Sequence, residues 1–139
     1  MTAGVEISFL KEPVSQDELA IAVILQSYAL ALKEHDTVKL LSLYDKEAQI
    51  DSYAAHGTVS LEEFAKEIPR TMPSIVRVSF KALVIKFISD AEVAVSGVTR
   101  YDYPHRLGTW HGREWKMIKK GSRWYIIRSK YNDFRPKKS

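Results

Sequence analysis

Apolar side chains along this chain change their period once. In the first half they recur every three or four residues, and from Ser74 onward every second residue, the spacings of one helix face and one strand face. Ser15-Gln-Asp-Glu18 has the form of a capping box, in which a hydroxyl and a carboxylate satisfy each other's backbone amides, and so predicts a helix start. From Asp17 to about Glu34 there is no Gly or Pro, and Ile21, Ile24, Leu25, Tyr28 and Leu32 form one stripe that Val23 and several alanines widen. Such a helix is mostly covered, as one lying across a sheet would be. His35-Asp36 interrupts it, and Asp36 is placed to cap a short second helix carrying Val38, Leu40, Leu41 and Tyr44. Gln49 to Tyr53 reads as a short strand and Ala54 to Thr58 as a loop. Ser60-Leu-Glu-Glu63 repeats the capping box before Leu61, Phe64, Ala65 and Ile68, and Pro69 and Pro73 predict that helix's end.

Beyond Ser74, Val76, Val78, Phe80 and Ala82 alternate with Arg77, Ser79 and Lys81; then the apolar set changes parity to Leu83, Ile85 and Phe87. A single inserted residue near Ala82 to Val84 produces such a flip, so a bulge is expected in a long, bent strand. A second strand follows Ser89-Asp90, with Val93, Val95, Thr99, Tyr101 and Tyr103 on one face. After a loop from Pro104 to Gly112, Arg113 to Lys120 and Arg123 to Tyr131 form a hairpin around Gly121. The expected class is α+β, with helices on one side of a curved, antiparallel sheet. The expected divisions are a loosely patterned lead-in over 1–14, one domain over 15–132 and a basic tail over 133–139.

Composition narrows the chemistry more than the fold. The chain has 139 residues, 45% hydrophobic and 27% charged, which is enough for one core burying roughly two-thirds of its unfolded surface. The absence of cysteine excludes disulfides, thiolate nucleophiles and thiolate metal sites. The longest apolar run, Leu19 to Leu25, is far short of the ~20 residues a membrane span requires, so no membrane partner is expected and a cytoplasmic location is. Residues 1–60 hold 4 basic and 9 acidic side chains, whereas residues 112–139 hold 10 basic and 2 acidic. Lys116, Lys119, Lys120, Arg128 and Lys130 invite a nucleic-acid reading. The expectation is instead a solvated sheet face offset by the acidic helices, without nucleic acid.

The helix pair, Leu41-Ser-Leu-Tyr-Asp-Lys-Glu-Ala-Gln-Ile-Asp51, the Gly57 loop, the short helix and the closing Lys119-Lys-Gly-Ser-Arg-Trp-Tyr-Ile-Ile127 together resemble the nuclear transport factor 2-like superfamily. The resemblance spans about residues 15–132. It implies a cystatin-like cone, in which the sheet wraps a long N-terminal helix, leaves a pocket at one end and pairs with a second copy through its outer face. The superfamily holds ketosteroid isomerase, scytalone dehydratase, polyketide cyclases, binding modules and association domains, so fold does not decide function. In isomerase-like members a tyrosine on the first helix donates to a developing oxyanion, and that position falls on Tyr28. The base position falls on Ser52, with Asp51 one residue away and on the opposite strand face. The further acid falls near Arg113 or Glu114, and alternation puts Arg113, Trp115 and Met117 on the apolar side, a cation in place of an acid.

His35, His56, His105 and His111 are candidate acid–base groups, but three lie in predicted loops and none has metal-pair spacing. No metal and no cofactor are expected. Along the last strand Tyr125, Ile127, Ser129 and Tyr131 are assigned to the cone and Trp124, Ile126, Arg128 and Lys130 to the outside. The expected ligand site is then Tyr28, Tyr44, Asp51, Tyr101, Arg113, Trp115, Ile127, Ser129 and Tyr131, suited to a mid-sized, partly apolar molecule. The expected function is small-ligand binding by a homodimer. The alternatives are a dehydratase, isomerase or cyclase using Tyr28 with a carboxylate or histidine, and an association domain of a larger protein.

Overall fold

The computed structural model describes residues 4–52 and 55–133. In chain order its elements are β1 (Val5–Phe9), α1 (Gln16–Glu34), α2 (Thr37–Ser42), β2 (Tyr44–Ser52), β3 (Gly57–Ser60), α3 (Leu61–Thr71), a 3-10 turn (Met72–Ser74), β4 (Arg77–Ser89), β5 (Glu92–Asp102), β6 (His111–Lys120) and β7 (Arg123–Tyr131). Both capping boxes are formed: the Glu18 amide donates to Ser15 Oγ at 3.0 Å, and the Glu63 amide to Ser60 Oγ at 3.2 Å. His35 closes α1 in the left-handed region at φ 58°, and Asp36 Oδ1 caps α2 by accepting the Lys39 amide at 3.0 Å.

The seven strands lie in the order β1-β4-β5-β6-β7-β2-β3. The four long strands pair antiparallel as expected, but β1 joins β4 and β2 joins β7 in parallel, so the sheet is mixed. Ile21, Leu25, Tyr28, Ala29 and Leu32 of α1 share one core with Val78, Phe80, Val93, Val95, Trp115, Met117 and Ile126 of the sheet. The bulge in β4 is where alternation puts it: pairing slips between Lys81 and Val84, and Ala82 has φ 56°.

Several boundaries differ from expectation. The lead-in contains β1, whose Val5, Ile7 and Phe9 pack against the core. Tyr44 opens β2 instead of ending α2, and the loop before Ser60 contains β3. Pro69 lies inside α3; near a helix C-terminus its ring removes one ladder bond without ending the turn. The predicted end of the short strand at Tyr53, and the tail beyond Asp133, lie outside the described residues.

The basic final hairpin meets the acidic first half of the chain. Lys119 Nζ pairs with Asp17 at 3.2 Å, Lys120 Nζ with Asp45 at 2.5 Å and Arg128 Nη2 with Asp51 at 2.8 Å. Among the described residues no helix is long and apolar enough to cross a membrane.

Candidate functional site

A cavity of about 230 Å³ opens at one end of the sheet, between α1, α3 and the ends of β2, β5, β6 and β7. Its apolar wall is Leu32, Ile50, Phe64, Ile68 and Ile75; its polar wall is Tyr28, Asp51, Ser52, Glu67, Tyr101, Tyr103, Arg113, Ser129 and Tyr131. That size is just under the ~300–1,000 Å³ usual for drug-sized ligands, so an occupant is small.

The polar side chains converge because of strand parity. Arg113 pairs across the sheet with Tyr131, and Trp115 with Ser129, which places all four on the inner face. Arg113 is 1% exposed. Its Nε donates to the Lys130 carbonyl at 3.2 Å, Nη1 to the Tyr101 hydroxyl at 3.0 Å and Nη2 to Ser129 Oγ at 2.6 Å. Its guanidinium carbon lies 4.1 Å from the centre of the Tyr131 ring and 4.8 Å from that of Trp115, within cation–π range.

Tyr28 stands on α1 below this cation. Its hydroxyl accepts from Tyr44 at 3.1 Å, and its ring centre lies 6.0 Å from both Phe80 and Trp115. Burial pushes the Tyr28 phenol up, but the Arg113 charge and the hydrogen bond from Tyr44 act against burial and leave it below the usual tyrosine range. Tyr44 and Tyr101 go the other way: burial, reinforced by the neighbouring phenols, holds both well above that range. Burial also raises Tyr131. For Arg113, burial disfavours the charge, and the oxygens of Tyr131, Tyr101 and Tyr28 more than restore it.

In the same cavity, Asp51 is fully committed. Thr58 Oγ1 donates to Oδ1 at 3.0 Å, Arg128 Nη2 to the same oxygen at 2.8 Å, and the Tyr131 amide to Oδ2 at 3.1 Å. The cavity carboxylate without a cationic partner among the described residues is Glu67 of α3, whose Oε1 accepts from Ser52 Oγ. Ser52 in turn accepts the Ala55 amide at 3.1 Å.

Of the site residues expected from the sequence, Tyr28, Asp51, Tyr101, Arg113, Ser129 and Tyr131 line the cavity. Tyr44 and Trp115 are buried behind it, touching it through Tyr28 and Arg113. Ile127 does not line it: β7 is bulged, with Lys116 opposite Arg128 and Met117 opposite Ile126, leaving Ile127 as the extra residue. The face assignment before the bulge is therefore reversed, with Trp124 and Ile126 buried in the core and only Ser129 and Tyr131 inward as expected. Glu67 was missed, although it falls three residues after Phe64 and one before Ile68, on the apolar face of an amphipathic helix, where a carboxylate is unusual.

The histidines lie outside the cavity. His35 Nε2 meets the Ile75 carbonyl at 2.8 Å, His56 occupies a turn at φ 55°, and His111 Nδ1 meets Asp133 Oδ2 at 3.0 Å beside a second depression formed with Arg106, Leu107 and Gly108. His105 is exposed. Among the described residues no three His, Asp or Glu are grouped to hold a metal ion.

No family model and no curated protein matches the chain. Solved structures resemble it in fold. A nuclear transport factor 2-like protein of unknown function from Shewanella oneidensis MR-1 superposes with a TM-score of 0.72 at 15% identity, covering 84% of this chain and 98% of that one. A protein of unknown function with a cystatin-like fold from Nostoc punctiforme PCC 73102 gives 0.71 at 14% identity, over 87% and 93%. A candidate scytalone dehydratase from Novosphingobium aromaticivorans DSM 12444 gives 0.67 at 15% identity, over 83% and 82%. At these identities the likeness is one of fold, and the fold is nuclear transport factor 2-like and cystatin-like.

Proposed function

We propose that this nuclear transport factor 2-like fold binds a small, partly apolar organic molecule in the cavity floored by Tyr28. The observation that carries the reading is the make-up of the cavity wall. Leu32, Phe64, Ile68 and Ile75 supply apolar surface, and a cation with several oxygens lines the same cavity, the mixture that orients small ligands. A screen of small aromatic and alicyclic compounds by ligand-observed NMR tests it. Binding is expected in the wild type and lost in Leu32→Phe, which fills the cavity; binding unchanged by that substitution places the ligand elsewhere and overturns the reading.

A second reading, an enzyme of dehydratase, isomerase or cyclase type, is favoured by Glu67. It places a carboxylate in the same cavity as the acidified Tyr28 phenol, so a proton acceptor and a proton donor face one bound molecule. For any compound found to turn over, Glu67→Gln should lower kcat while leaving Kd nearly unchanged.

Pairing with a second copy through the outer sheet face belongs to the same proposal. Val84 is 41% and Ile88 54% exposed on β4, and Trp110 lies under Lys81 and Arg100.

A further inference from the structure

Four charged side chains among the described residues are buried: Asp45, Asp51, Asp102 and Arg113. Each aspartate has a basic partner. Lys120 lies 2.5 Å from Asp45, Arg128 2.8 Å from Asp51 and Arg100 2.9 Å from Asp102. Arg113 is the exception, since no carboxylate among the described residues comes within ion-pair distance of it. It meets the Lys130 carbonyl and the hydroxyls of Tyr101 and Ser129, with the Tyr28 phenol beside them, and no carboxylate. A guanidinium carries five N–H donors and does not lose its charge in proteins, so burial cannot be relieved by deprotonation. An uncompensated buried charge is costly, and the aromatic faces of Tyr131 and Trp115 offset only part of that cost.

The cation is also placed where a ligand reaches it, since Arg113 lines the cavity together with Tyr28, Tyr101 and Tyr131. The other charge in that cavity wall with no ion-pair partner among the described residues is Glu67, held by Ser52. The cavity therefore holds one cation and one carboxylate without ion-pair partners among the described residues, beside apolar surface from Leu32, Ile68 and Ile75.

Resting on the small-molecule reading above, we propose that the ligand is a monocarboxylate with an apolar body, its carboxylate lodged against the Arg113 guanidinium. One cation matches one negative charge, and planar guanidinium suits a carboxylate through paired N–H donors. A dicarboxylate would bring its second charge toward Glu67 and is rejected; a hydroxyl beside Glu67 is accepted, because Glu67 receives hydrogen bonds. The carboxylate supplies Arg113 with the counter-ion that each buried aspartate already has.

The test is titration calorimetry at neutral pH and fixed ionic strength with phenylacetate and its neutral isostere phenylacetamide, together with the NMR signal of the Arg113 Nε–H. Phenylacetate should bind at least about tenfold more tightly than the amide, as expected for a charge-assisted contact in a dry site. It should move the Arg113 signal, and the preference should vanish in Arg113→Met. Equal affinity for the two compounds, with binding still blocked by Leu32→Phe, overturns the carboxylate assignment and leaves the small-molecule reading standing. Tight phenylacetate binding that leaves the Arg113 signal unmoved also overturns the assignment. Absence of binding by either compound at millimolar concentration overturns the carboxylate assignment, and the small-molecule reading is then decided by the NMR screen and Leu32→Phe. If Arg113→Met does not fold, the wild-type pair and the Arg113 signal decide alone.

Discussion

Asp51 and Arg113 stand in the wall of one cavity, both all but buried, and the chain treats them in opposite ways. Asp51 is met on every side by donors from its own fold: the Thr58 hydroxyl, the Arg128 guanidinium and the Tyr131 amide. Arg113 is met by neutral oxygens and aromatic faces. A buried charge that the fold neutralises cannot be removed without stranding its partners. A charge that the fold leaves uncompensated is a stability cost, retained where something outside the fold completes it. The contrast makes Asp51 architectural, joining β2, β3 and β7, and on the proposal above makes Arg113 the binding residue.

The largest effect is expected at Asp51. Asp51→Ala leaves the Thr58 hydroxyl, the Tyr131 amide and Arg128 without their acceptor, so unfolding stability should fall by about 2–3 kcal/mol, the scale of hydrogen bonds to a charged group. Urea denaturation monitored by tryptophan fluorescence reads this directly. A loss below about 1 kcal/mol, the level of an exposed pair, would remove the architectural half of the contrast.

Arg113→Met should behave differently. It removes a buried charge without creating another, and methionine fills much of the same volume, so stability without ligand should stay within about 1 kcal/mol of wild type. Melting curves of the two variants side by side carry the comparison. If Arg113→Met costs as much as Asp51→Ala, Arg113 is a structural residue and the contrast fails.

Neither role is legible from residue type alone, and the reasons differ along the chain. The β4 bulge is readable because strict alternation runs on both sides of Ala82, so the change of parity is visible. The β7 bulge is hidden, because Trp124-Tyr125-Ile126-Ile127 is apolar throughout and fits either face; that is how Ile127 came to be placed in the cavity. β1 has its alternation, Val5, Ile7 and Phe9 against Glu6 and Ser8, but its partner strand lies some seventy residues away and no hairpin marks the pairing. Arg113 is placed inward correctly by the alternation with Trp115 and Met117. Its lack of a counter-ion, however, is a fact of three dimensions, as is the commitment of Asp51 to a strand distant in sequence. Glu67 was open to discovery, since its position on the face of Phe64 and Ile68 is a matter of counting. Reading that face only for its apolar members hid it.

The smallest effect lies in the tyrosines around Arg113, and it sharpens the contrast where denaturation cannot. Tyr28 is held below the ordinary tyrosine range because Arg113 and Tyr44 outweigh its burial, whereas burial holds Tyr44, Tyr101 and Tyr131 above it. Absorbance of tyrosinate as pH rises should therefore show one early ionisation below the usual value of about 10, absent in Tyr28→Phe and moved upward in Arg113→Met. The sign for stability follows from linkage. With its folded-state pKa depressed, Tyr28 loses its proton in the folded chain first, so its contribution grows as pH rises from that pKa to the unfolded value. The three raised tyrosines oppose this above the unfolded value, where their protonation favours folding less and less. Stability should thus rise slightly on the alkaline side of neutrality before it falls. If Tyr28 ionises at the ordinary value and Arg113→Met leaves it there, the cation does not act on the cavity floor, and its place in the wall loses its chemical meaning.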